Sequence, residues 1–169
     1  MTKISATYDT GSMNHHQALL KPAGPILALD LGDKLVGAAV SDDRLVTINR
    51  LPPLKRSNWK RLLQDVVTLI RRYDAQTVVI GLPLRLDGSA GDAADKARRV
   101  ATNLAKSIEL PVYLQDERLT SFAAMENLKT EGHKPGEIPA LIDGEAAALI
   151  LRDFIQTDQK RIPVTTSPQ

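Results

Sequence analysis

Four acidic residues stand at the margins of apolar runs. Asp30 follows Ile26-Leu27-Ala28-Leu29, the pair Asp116-Glu117 closes the run that starts at Pro111-Val112-Tyr113-Leu114, and Asp143 comes directly after Ile142. An ionised carboxylate at the edge of a hydrophobic core is costly unless a positive charge compensates it, and several together point to a bound cation. The chain has no cysteine and no His/Cys cluster at zinc spacing, so these hard oxygen donors suit Mg²⁺ or Mn²⁺. Carboxylates that flank two such ions about 3.5–4 Å apart are what hydrolysis of a phosphodiester requires. Asp30, Glu117 and Asp143 are therefore the candidate catalytic and metal-binding residues. Asp30 interrupts a core strand where nothing structural asks for a charge. Adjacent residues of an extended chain point to opposite sides, so only one of Asp116 and Glu117 is expected to face the ions. Glu117 is the choice, with Asp116 left to bind backbone or Arg118. Asp143 is placed in the first turn of the last helix, where a favourable helix-dipole interaction is the competing role. Glu145, on the same helix, is set aside as a solvated glutamate.

Basic residues near these acids are candidates for holding nucleic-acid phosphates. Lys34 lies at the tip of a hairpin bracketed by Gly32 and Gly37, where an ordinary turn is the alternative. Arg85 lies in Gly81-Leu82-Pro83-Leu84-Arg85-Leu86-Asp87-Gly88, which leaves a buried strand and ends in a turn signal. Arg118, beside the acidic pair, either pairs with a carboxylate or holds the scissile phosphate. The remaining clusters, Lys55, Arg56, Lys60 and Arg61 and then Lys96, Arg98, Arg99 and Lys106, read as solvated faces unless they share one surface.

These residues need a scaffold, and 169 residues with 43% apolar content fit one domain. Residues 1–24 lack periodicity and read as a disordered or loosely attached arm, 25–158 as the domain, and 159–169 as a frayed tail. Ile26–Leu31, Leu35–Ser41 and Leu45–Leu51 have the spacing of a three-stranded meander. Ser57 caps a helix with Trp59, Leu62, Leu63, Val66, Ile70 and Tyr73 on one face. A buried strand at Thr77–Gly81, a helix over Gly91–Ile108, a strand at Pro111–Gln115, a short helix from Thr120 to near Gly132 and a last helix over Ala140–Thr157 complete the order. The pattern β-β-β-α-β-α-β-α-α predicts an α/β fold, a mixed five-stranded sheet flanked by helices, which is the ribonuclease H-like arrangement. In it Asp30, Glu117 and Asp143 converge. A net charge of +2 neither requires nor excludes a nucleic-acid partner. The lack of cysteine, of an apolar signal region and of a membrane-length run leads to an expectation of a cytoplasmic protein.

The strings Leu29-Asp30-Leu31-Gly32 through Gly37-Ala38-Ala39-Val40-Ser41, Gly81-Leu82-Pro83-Leu84 with Asp87-Gly88, Asp116-Glu117-Arg118-Leu119-Thr120, and Ile142-Asp143 ahead of Ala146-Ala147-Ala148 resemble the YqgF family. Its members are described both as Holliday junction resolvases and as pre-16S rRNA nucleases. The similarity spans roughly Ile26 to Ile155. It implies a divalent-metal nuclease that processes the 5′ end of the small-subunit rRNA precursor, with Asp30, Glu117 and Asp143 matching the family's acids. Asp33 departs from the Thr usual after that Gly. Precursor rRNA is the expected partner, with branched DNA as the alternative substrate, no membrane, and a monomer or homodimer. Two other functions compete. A non-catalytic RNA-binding assembly factor gains nothing from acids gathered beside a phosphate backbone. An actin-like ATPase needs a second phosphate-loop signal that the chain lacks.

Overall fold

The computed structural model describes residues 22–118, 120–157 and 161–166, without the side chains of residues 120–122. Of the arm expected over residues 1–24, residues 1–21 lie outside the described residues. Pro22 is buried and the Ala23 carbonyl accepts a hydrogen bond from Thr77 Oγ1 at 2.8 Å, so the chain is already docked before the first strand.

Six strands form one sheet in the order β3-β2-β1-β4-β5-β6. The strands are β1 (Ile26–Leu31), β2 (Leu35–Ser41), β3 (Ile48–Lys55), β4 (Thr77–Leu82), β5 (Val112–Asp116) and β6 (Arg161–Pro163). Strands β1, β2 and β3 form the expected antiparallel meander, β4 and β5 add in parallel, and β6 closes the far edge antiparallel to β5. The helices are α1 (Trp59–Tyr73), α2 (Asp92–Ser107), α3 (Thr120–Thr130) and α4 (Ile138–Gln156).

Strand alternation divides the core into two layers. Leu27, Leu29, Val36, Ala38, Val78, Ile80, Val112 and Leu114 face one side, packed with Leu62 and Val66 of α1 and Ala97, Ala101 and Leu104 of α2. Ile26, Ala28, Ala39, Val79 and Tyr113 face the other, covered by Ala147, Ala148, Ile150, Leu151 and Phe154 of α4. Asp30 belongs to the second set by parity, so it projects to the α4 side.

Four expectations are corrected. The sheet has six strands, not five, because Arg161–Pro163 is not a frayed tail. Arg161 donates to the Phe154 carbonyl at 2.7 Å and to that of Ile155 at 3.2 Å and lies over the Phe154 ring, which ties β6 to the end of α4. The third strand runs over Ile48–Lys55 rather than Leu45–Leu51. Leu45 sits at φ 59° in a turn held by Asp42 Oδ1, which accepts from Val46 and Thr47. As an edge strand, β3 tolerates exposed Pro52 and Pro53. Asn58, not Ser57, caps α1 by accepting from the Arg61 amide at 2.9 Å. Finally, α4 begins at Ile138 with Pro139 in its first turn, so Asp143 falls in the second turn, and the helix-dipole role loses its basis.

Candidate active site

The C-terminal ends of β1, β4 and β5 lie side by side, and the acids collect there on the α4 face. Asp30 pairs across the ladder with Gly37 of β2. On its other side, one residue beyond the Leu29–Ile80 pair, is Gly81 of β4. The central acid is thus flanked by two positions without a side chain, and each vacancy is used.

At Gly37 the backbone of α4 comes down onto the sheet: a Cβ there would lie 2.6 Å from the Asp143 carbonyl carbon and 3.1 Å from its Cα. The missing methyl is what lets Asp143 approach Asp30. At Gly81 a Cβ would lie 2.7 Å from the Glu117 carboxyl carbon and 2.6 Å from Ile150 Cδ1. That space receives the Glu117 side chain, whose backbone is fixed by its amide donating to the Leu82 carbonyl at 3.1 Å.

Glu117 and Asp30 are in direct side-chain hydrogen-bond contact. Burial, the Asp30 charge and this bond push the Glu117 carboxyl up to about 9. Burial, with the nearby Asp143 charge, also raises Asp30, while the bond from Glu117 works against that rise. Glu117 therefore carries the shared proton and donates it to the Asp30 carboxylate. Among the described residues no three acidic or histidine side chains form a metal-sized group, and Asp143 acts on Asp30 through charge.

Asp116 turns away, as alternation requires. Its carboxylate takes the Arg118 guanidinium, Nη2–Oδ2 2.7 Å and Nε–Oδ2 2.9 Å, and accepts the Arg118 amide at 3.1 Å. Of the two roles open to Arg118, the carboxylate pair is made. The guanidinium is still 40% exposed and reaches the Leu86 carbonyl at 3.5 Å. Arg85 is exposed on the same loop, its guanidinium beside Gly91 and 3.5 Å from Ser89 Oγ. Lys34 is exposed at the β1–β2 hairpin on the opposite flank.

Arg56, read from the sequence as a solvated residue, braces that hairpin: Nη1 donates to the Gly32 carbonyl at 2.6 Å and its amide to the Lys34 carbonyl at 2.9 Å. Its position directly after a proline-containing edge strand gives no periodic signal. Lys34 and Arg56 on one flank and Arg85 and Arg118 on the other put cations on both sides of the acids.

Glu145 is not a solvated glutamate. It is 3% exposed and bound by Arg50 Nη1 at 3.0 Å and Asn127 Nδ2 at 3.0 Å, which commits it to joining β3, α3 and α4.

The profile of RuvX, described as Holliday junction resolvase, matches residues 24–157. The chain belongs to this family. The YqgF resemblance is thereby borne out. The "Putative pre-16S rRNA nuclease" of Synechococcus elongatus is 37% identical over 137 residues, covering 81% of this chain and 91% of that protein. Those of Chloroflexus aurantiacus and Syntrophus aciditrophicus are 40% and 37% identical, covering 77% and 82% of this chain and 85% and 93% of theirs. The Thermus thermophilus RuvC structure aligns at a TM-score of 0.49 and 15% identity over 82% of this chain and 98% of that chain. Membership makes the chain a nuclease, an enzyme class that generally uses divalent cations. No described helix is long and apolar enough to cross a membrane.

Proposed function

We propose that this chain is a Mg²⁺- or Mn²⁺-dependent nuclease that processes the 5′ end of pre-16S rRNA in the cytoplasm, with Asp30, Glu117 and Asp143 as its catalytic and metal-binding residues. The Asp30–Glu117 contact carries the reading. Two half-buried carboxyl groups pressed together on one shared proton, with the charge of a third raising one of them, make a site whose proton a divalent cation can displace. The donor set is all carboxylate oxygen, which fits Mg²⁺ or Mn²⁺.

Bound divalent ions supply a water acidic enough to attack phosphorus at neutral pH and a counter-charge for the departing oxygen. Asp30, at the end of the central strand, is the residue placed to touch both neighbours. Glu117 must give up its proton to act as a ligand. Lys34, Arg85 and Arg118 orient the substrate phosphates from both flanks, and Arg118 does so from an orientation set by Asp116.

A four-way DNA junction is the second substrate, favoured by the family's description. Labelled precursor rRNA and a labelled junction incubated with wild type or Asp30→Asn, in Mg²⁺, Mn²⁺ or EDTA, decide the matter. Cleavage confined to RNA and lost in the variant and in EDTA is expected. RNA cleavage by a folded Asp30→Asn at the wild-type rate removes the acid set from the reaction, and cleavage confined to the junction reassigns the substrate.

A further inference from the structure

The loop between β4 and α2 carries an unusual apex. Gly88, at φ 85°, donates its amide to the Arg85 carbonyl at 2.8 Å, and the Arg85 amide donates to the Ser89 carbonyl at 2.9 Å, which closes a tight turn with Leu86 and Asp87 as its central residues. The polar central residue is exposed but tied back to the turn: Asp87 Oδ1 accepts the Ser89 amide at 2.8 Å. The apolar one is presented, and Leu86 is 74% exposed. Behind it Leu84 packs on the core and Arg118 Nη1 reaches the Leu86 carbonyl at 3.5 Å. The turn is thus pinned to the segment that follows Glu117.

A single exposed leucine on a protein surface is ordinary. An exposed leucine at the apex of a hydrogen-bonded turn that carries Arg85, is reached by Arg118 and leads out of the strand end where Gly81 meets Glu117 is a different object. Its neighbours match the alternation of a nucleic acid, charged phosphates beside apolar base faces. Branched aliphatic side chains serve as wedges against base steps, and such contacts cost unstacking energy that is smallest where the bases are already unpaired. We infer that Leu86 packs against a nucleobase next to the scissile phosphate and makes the enzyme select unpaired or branched nucleic acid over continuous duplex. This rests on the nuclease reading above and extends it to the class of substrate.

The test uses binding, so that it stands apart from catalysis. In an Asp30→Asn background with EDTA, fluorescence anisotropy measures the affinity for an RNA hairpin with a single-stranded 5′ extension and for the same sequence as full duplex. Leu86→Ser is expected to weaken binding of the extended RNA roughly tenfold, the scale of one lost base contact, and to leave the duplex within about twofold. Leu86→Phe should keep or strengthen the preference. A 2-aminopurine in the extension should brighten on binding to Asp30→Asn protein and not when Leu86→Ser is added. Arg85→Ala is expected to weaken both RNAs alike and to flatten their salt dependence. Equal affinities of Leu86→Ser and its parent for the extended RNA overturn the inference, as does an equal loss on both RNAs. Since Leu86 is exposed, its variants should melt with the parent. Failure of the wild type to cleave RNA or junction would defeat the nuclease reading and leave this binding result unaffected.

Discussion

Two sets of buried acids lie on the α4 side of the sheet, and the fold treats them in opposite ways. Glu145 is answered at once, with Arg50 at 3.0 Å on one oxygen and Asn127 at 3.0 Å on the other, while Arg50 also holds Glu131 at 3.0 Å. Asp30 and Glu117 are answered by each other, and both are raised by burial. A charge neutralised within the chain serves architecture, joining β3 to α3 and α4. Carboxyl groups that share a proton can exchange it for a cation from outside the chain. Glu145 and Asp143 are two residues apart on one helix, yet local sequence does not distinguish them. Their surroundings do.

The largest expected effect separates the two sets by activity. Asp30→Asn should lower cleavage by on the order of a thousandfold or more, the scale expected when a ligand central to metal-assisted hydrolysis is lost. It should also raise the melting temperature of the metal-free protein, because a carboxylate disfavoured by burial and by the nearby Asp143 charge is removed. Thermal melting in EDTA beside a cleavage assay checks both; a less stable variant would mean that the pair is structural after all.

The complementary variants act on stability. Arg50→Ala leaves Glu145 buried with Asn127 alone and is expected to cost about 3 kcal/mol, the lower end for a broken buried pair, since Arg50 is itself 37% exposed. Replacing both partners, Arg50→Met with Glu145→Met, should recover most of that loss, because no charge is then stranded. Urea denaturation gives the comparison. A double variant no better than Arg50→Ala would show that the pair does more than neutralise itself.

The two glycines beside Asp30 divide along the same line. Gly37→Ala drives a methyl into the Asp143 backbone, which α4 cannot relieve without moving, so about 1–3 kcal/mol of stability should go with the activity. Gly81→Ala meets the Glu117 carboxylate and the tip of Ile150, both side-chain ends. It should spare more stability while still displacing an acid. Paired melting and cleavage measurements test this, and equal stability losses would contradict it.

The legible part of this architecture is the part that local pattern specifies. The bounds of β1 and β2 follow from apolar runs cut by Gly32-Asp33-Lys34 and Asp42-Asp43-Arg44, and α2 from its alanine-rich stripe. Strand alternation limits the site to one of Asp116 and Glu117, and in the structure Glu117 meets Asp30 while Asp116 meets Arg118. What stayed hidden depends on contacts distant in sequence. β6 is three residues long and held by Arg161 on the end of α4. Glu145 looked like any helical glutamate because Arg50 lies 95 positions earlier. Phe154 is fully buried on α4 although no single apolar stripe marks it out, since a helix sunk between sheet and neighbour buries more than one stripe.

The smallest expected effect is a slope. Glu117, at about 9 in the fold against 4.5 as its ordinary value, and Asp30, also raised, bind protons more tightly folded than unfolded. Their stabilisation is therefore complete below about pH 4.5 and is lost as the pH climbs through about 9. Asp42, Asp87 and Glu131 are held below their ordinary values, so their contributions fade only as the medium becomes acid and add no slope between pH 6 and 9. In that range the metal-free protein should lose a few degrees of melting temperature, and Glu117→Gln should flatten the decline. Uptake of Mn²⁺ must then expel the shared proton, so calorimetric binding enthalpies at pH 7 should differ between buffers of unlike ionisation heat. Arg50→Met with Glu145→Met should leave both signals in place, since that pair is engaged with Asn127 and Glu131 rather than with Asp30 or Glu117.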